Sequence, residues 1–225
     1  VWTEAVDWTH AIDGYCERVD PSFWSEPVNA LSNIAFLFAA WIMARRTRLS
    51  GLKLADFLVW TLVVIAVTSF LFHTFAHVWA AVADSFAILT FVIVYLYAAN
   101  RHFWNAPVFR AGLMSATYFP FSILLGWVFS RLPFFEISSF YWPLPVLIGG
   151  YAIAFRKSFP ALARGLALGA MILCASLAFR SVDEIVCATF PLGTHFLWHI
   201  LNAVMLGWMI EVYRRHMVAT GRAAV

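Results

Sequence analysis

An all-α bundle of seven transmembrane helices is the fold class this sequence predicts, and three observations carry it. Of the 225 residues, 63% are hydrophobic and only 12% are charged. That is about half the charged share of a soluble domain, too little polar surface to cover a water-soluble globule. The apolar residues fall into seven continuous stretches of roughly bilayer-crossing length, without the period-two alternation of barrel strands. The basic residues, finally, segregate to alternate connections, as the positive-inside rule requires of an odd number of crossings.

In chain order, the expected spans run from Pro27 to Met43, Leu54 to Phe75, Asp84 to Ala99 and Gly112 to Phe129. A short fifth covers Tyr141 to Phe155, with Pro143 and Pro145 near its start. The sixth is Leu162 to Phe179 and the seventh His195 to Tyr213. Numbered alternately from the N-terminus, one side receives 12 of the 15 Lys and Arg residues, leaving only Arg18, Arg131 and Arg180 for the other. The crowded side is therefore expected to be cytoplasmic, with the N-terminus outside and the C-terminus inside. Three parts follow: an extracytoplasmic acidic N-terminal segment (1–26), the seven-helix domain (27–216) and a cytoplasmic tail (217–225). Val1 to Ser25 lack the basic and apolar regions of a cleavable signal peptide. Basic tracts interleaved with aromatics are missing, which argues against nucleic acid as a partner. No protein partner is evident, and the absence of internal repeats disfavours a transporter built from related halves.

Ionisable side chains inside spans are functional candidates, and here they gather at one end. Ser69 and His73 lie four apart, on one face, in the last turns of the second span. Asp84 is expected to open the third span. His195 and His199, again four apart, begin the seventh. Three neutral imidazoles can bind Zn²⁺ and leave a fourth position for water, which the metal makes far more acidic. A carboxylate beside that water can take its proton and return it to a leaving amine; a hydroxyl can hydrogen-bond the developing oxyanion. Each residue also has a plainer role open to it. Ser69 can bond back to its own helix, Asp84 can cap a helix, and His77, four residues after His73, is a rival ligand.

Ser69-Phe-Leu-Phe-His73, Asp84 eleven residues later and His195-x3-His199 resemble the signature of the alkaline ceramidases. The opening segment is similar as well, in Asp13-Gly-Tyr-Cys-Glu17 and Glu26-Pro-Val-Asn-Ala-Leu-Ser-Asn33. These enzymes belong to a seven-helix hydrolase superfamily that also contains the adiponectin-type receptors. The resemblance implies His73, His195 and His199 as ligands of one catalytic zinc, Asp84 as acid/base and Ser69 as an aid to the zinc environment or oxyanion. The implied reaction is hydrolysis of the ceramide amide to a sphingoid base and a fatty acid. A bacterial inner membrane is the expected location, with the site on the extracytoplasmic side and a ceramide-like lipid as substrate.

Eukaryotic members bind calcium, in a structural or regulatory role, through their acidic opening segment. Asp13, Glu17, Asp20 and Glu26, with the Tyr15 carbonyl, offer comparable hard oxygen donors here. The spacing departs by one extra residue before the Cys and a shorter stretch before Glu26, which favours Glu17 and Glu26. The alternative is a set of helix-capping acids. The resemblance also implies a disulfide between Cys16 and Cys187, two free thiols being the alternative, whereas Cys174 is expected to pack within the sixth span. Competing functions are a hydrolase of another lipid amide or ester, a non-enzymatic receptor of the adiponectin type, and a di-haem protein. Haem takes two axial ligands on opposite faces, which the crowding of histidines at one end disfavours.

Overall fold

Proline opens the helices that need a sharp start. Pro27, Pro143 and Pro160 each occupy the first turn of a helix, where a missing N–H costs nothing. The structure, a computed structural model, describes residues 6–224. The first five residues of the expected N-terminal segment and Val225 of the expected tail lie outside the described residues. In chain order the helices are α1 (Pro27–Ser32), α2 (Ile34–Thr47), α3 (Lys53–Phe75), α4 (Val78–His102), α5 (Val108–Ala116), α6 (Tyr118–Phe129), α7 (Pro143–Phe155), α8 (Pro160–Val186) and α9 (His195–Ala219). Helix accounts for 70% of the described residues, and no strand forms among them, so a barrel is ruled out for this part of the chain.

Six stretches are long and apolar enough to cross a membrane: Pro27–Thr47, Lys53–Phe75, Val78–His102, Val108–Phe129, Pro160–Val186 and His195–Ala219. At 13 residues, α7 spans only about 20 Å, less than the hydrocarbon core of about 30 Å. Large apolar side chains such as Trp60, Phe86, Leu113 and Ile123 point outward and stay exposed. Helix α9 is the central one, with buried residues on every face along its length.

Three boundaries differ most from those expected, two of them with a visible local cause. Helix α4 begins at Val78, so Asp84 lies six residues inside it and does not cap it. The turn from α3 is only Ala76 and His77, because the N-terminal segment clamps it: Ile12 N donates to Ala76 O (2.7 Å) and Val78 N to His10 O (3.1 Å). Ala76 takes a left-handed φ of 47° there, uncommon for a residue with a Cβ. Helix α8 continues past Phe179 to Val186 because Arg180 and Asp183 find polar partners at its end. Helix α9 runs on past Tyr213, into the expected tail.

Close packing of α8 on α9 depends on a small-x3-small pair, Gly165 and Gly169. A Cβ at Gly165 would lie 2.8 Å from Val212 Cγ2, and Trp208 Nε1 donates to the Gly165 carbonyl at 2.8 Å. We therefore expect Gly165→Ile to force the two helices apart and destabilise the protein by about 1–3 kcal/mol. Gly149→Ala, where nothing lies within 4 Å, should leave the thermal midpoint unchanged or slightly raised. Thermal unfolding in detergent compares the two.

Candidate metal centre

The last turn of α3 and the first two turns of α9 place three histidines at the same end of the bundle. His73, His195 and His199 each offer a ring nitrogen, and these atoms all lie within 4.8 Å of one another. The three side chains are buried, at 1–2% exposure. Their rings pack in mutual contact, with centroids 4.6–5.1 Å apart. Like imidazoles gathered without water are costly unless something accepts their lone pairs.

Two of the rings are oriented from behind. His73 Nδ1 lies 2.6 Å from Glu26 Oε2 and His199 Nδ1 lies 2.7 Å from Ser32 Oγ. With Nδ1 engaged, Nε2 is left to face the common point, the usual arrangement behind a metal-bound histidine. His195 Nδ1 is buried with no partner, an orphaned lone pair or N–H that a resident group at the site would explain. Its ring stacks on Tyr15, centroids 3.8 Å apart, and burial pushes the Tyr15 phenol up to about 12, so it stays neutral. The chemistry of the set, three imidazoles with oxygen partners behind two of them, fits a metal ion.

Asp183 holds the second arm of the site in place. Its Oδ1 accepts the amides of Thr194 (2.6 Å) and His195 (2.8 Å), satisfying free N–H groups at the start of α9, and its Oδ2 accepts Cys16 N at 3.0 Å. Cys16 and Cys187 are bonded, with Cα atoms 5.3 Å apart, so the N-terminal segment is fastened beside the α9 start. Gly193 completes the clasp: its φ is +63°, and a Cβ there would meet Cys16 Cβ at 2.7 Å. Cys174, expected to pack inside, is instead exposed on α8.

Beside the histidines is a cavity of about 290 Å³ lined by Asp84, Tyr15, Tyr141, Arg180, His195 and His199, among others. Asp84 therefore reaches the site from the second turn of α4, with its Oδ1 3.5 Å from Thr68 Oγ1. Ser69 is buried on α3, one turn before His73. A second, almost wholly apolar cavity of about 50 Å³ shares Ile88, Tyr141 and Trp198 with the first and continues between α4, α7 and α9 past Phe91, Leu144 and Met205. His77, the rival ligand, is set apart: it precedes α4 in extended conformation and bridges to Ala11.

The expected calcium donors form no metal group among the described residues, and all but Asp13 have their oxygens engaged elsewhere. Glu17 accepts the amides of Val28 (2.6 Å) and Asn29 (2.8 Å) at the start of α1. Glu26 is shared between Arg18, His73 and Asn29; burial pulls its carboxyl upward, but His73 and Arg18 hold it below the ordinary value. Asp20 turns back on Ser22 N, the Tyr15 carbonyl accepts Arg18 N, and Asp13 is exposed.

Arg18, Ser32, Asp183, Tyr141 and Arg180 were not singled out by sequence reasoning as parts of the site. Ser32 lies inside the quoted Glu26–Asn33 run, and Asp183 is an acid near a span end; those were the available signals. No protein-family model matches the chain, and no curated protein matches it either.

Metal analysis of the purified protein should find about one ion per chain. His195→Ala and His199→Ala should each abolish stoichiometric retention. Ser32→Ala, which removes only the partner behind His199, should weaken affinity by about 10–100-fold.

Proposed function

We propose that the chain is an intramembrane zinc-dependent hydrolase that cleaves the amide of a ceramide-like lipid, releasing a sphingoid base and a fatty acid, as the alkaline ceramidases it resembles do. The observation that carries this reading is the buried three-histidine cluster with Glu26 and Ser32 behind two of its rings and Asp84 in the adjoining cavity. Three imidazoles with one open side are the donor set of catalytic zinc sites. When bound, zinc supplies Lewis-acid polarisation of a carbonyl and eases deprotonation of water.

The protein's own residues supply the rest. Glu26 orients His73 through Nδ1, and Ser32 does the same for His199, so neither ring has to reorganise during turnover. The Asp84 carboxylate takes the proton of the attacking water and passes it to the amide nitrogen as the C–N bond breaks. The Ser69 hydroxyl donates toward the carbonyl oxygen as charge builds there. Trp198 and Tyr141 form the boundary between the polar cavity and the small apolar one between α4, α7 and α9, so the polar site has an apolar flank on that side.

The topology that goes with this function has seven crossings, α7 being the short one, and a cytoplasmic C-terminus. Twelve of fifteen basic residues then face the cytoplasm, and the cluster faces the opposite side, open to a lipid in the outer leaflet of a bacterial inner membrane.

Fatty-acid release from a panel of ceramides, other lipid amides and lipid esters tests the reaction. Cleavage of ceramides is expected; cleavage of esters alone would replace the amide assignment, and no cleavage of any would remove it. Asp84→Asn should keep the metal and lose about 10²–10⁴-fold in turnover; full activity would reject its proton-transfer role. Labelling of a cysteine introduced in the N-terminal segment by a membrane-impermeant reagent should succeed on intact cells, and failure would reverse the orientation.

A further inference from the structure

Arg18 is the one cation of the N-terminal segment that is buried, with 3% of its side chain exposed. Its guanidinium sits in a shell of oxygens. Nε donates to Glu26 Oε1 at 2.5 Å, one terminal nitrogen to the Asp20 carbonyl at 3.1 Å (with Ser22 O at 3.5 Å), and the other to the His73 carbonyl at 3.1 Å. A carboxylate and several backbone carbonyls converging on one positive charge is the environment a hard cation such as calcium would take. Here a side chain fills it. The other oxygen of the same carboxylate, Glu26 Oε2, holds His73 Nδ1 at 2.6 Å.

We propose that Arg18 is a positioning residue for the metal centre, acting as the built-in cation that a bound calcium ion would otherwise have to be. It acts at two points on the same ligand. Through Glu26 it holds a buried carboxylate aimed at the His73 ring; through the His73 carbonyl it ties the ligand's backbone to the N-terminal segment. A planar guanidinium can do both at once because its donors diverge in fixed directions. Without the guanidinium, this carboxylate, buried at 2% exposure, would lose the partner of its Oε1 and with it the anchor that keeps Oε2 on His73. The three-histidine site is therefore assembled without calcium, and the segment that resembles a calcium loop is complete with its own charge. This inference rests on reading the histidines as a metal site.

The test uses the full chain in lipid nanodiscs, stripped of metal and titrated with Co²⁺, whose visible absorption reports ligand geometry. Wild-type protein should bind Co²⁺ with the same affinity and spectrum in calcium-depleted buffer and with millimolar Ca²⁺ added. Arg18→Ala should bind about 10–100-fold more weakly with an altered spectrum, and Arg18→Lys, which keeps the charge but not the fork, should recover part of the loss. In a Glu26→Gln background, Arg18→Ala should cost less than it does alone, since the route through the carboxylate is already lost and only the tie to the His73 carbonyl remains to be broken. Wild-type affinity that rises with calcium overturns the proposal without any variant, as does an unchanged spectrum and affinity in Arg18→Ala. If wild-type protein binds no Co²⁺ at all, the metal reading itself fails and this one falls with it.

Discussion

Glu26 is the constraint on which the rest of the structure depends. A carboxylate cannot be left bare inside an apolar bundle, and its partners pull together parts of the chain that are far apart in sequence. One oxygen fixes Arg18, the other fixes His73, and Asn29 Nδ2 adds a third contact at 3.1 Å. The N-terminal segment, the start of α1 and the end of α3 are thereby made into one unit. Glu17 repeats the device on the amides that open α1. Acids that look like ion ligands on paper are used here as internal connectors.

The second arm of the centre needs its own support, because α9 comes from the other end of the sequence. Asp183 provides it by accepting backbone amides from both Cys16 and His195, and the Cys16–Cys187 bond fastens the same two regions covalently. The three histidines are thus held through two independent clasps, one on α3 and one on α9, that meet in residues 16–18. Bringing the rings within reach of one point follows from these clasps, since neither helix end would be placed so accurately by apolar packing, which has no direction of its own.

Spacing made the apolar runs and the His73, His195 and His199 set legible, because a four-residue step on a helix means one face whatever the neighbours do. The partners behind the rings were much harder to read. Ser32 and Asp183 act across 167 and 12 residues of sequence, and such contacts leave no local period. The start of α4 was misjudged for a related reason. Val78–Ala83 is apolar and helix-compatible, but whether the chain turns before or after it depends on pairing with His10–Ile12, a tertiary contact. In the acidic segment the resemblance draws attention to oxygen donors, and only the geometry shows Arg18 lying among them.

The register between α2 and α9 shows how the histidine-bearing end can be kept rigid in a medium that offers no hydrophobic drive between helices. Ser32, just before α2, meets His199 near the start of α9, while at the far end Arg46 meets Glu211 at 2.7 Å. The separations are similar, roughly 21 Å along α2 and 18 Å along α9, so the two helices run parallel and are pinned at both ends. Between the pins Gly207 lets α9 come close to Ala39, with space for a Cβ only at a tight 3.4 Å. Arg214 and Arg215 also bind Glu211, so this acid is heavily overcompensated by positive charge. A sliding of α9 by one turn would break the Glu211 cluster and the Ser32–His199 contact together. The polar groups at the far end therefore help to hold the imidazoles at the other, although about 18 Å of helix separates them.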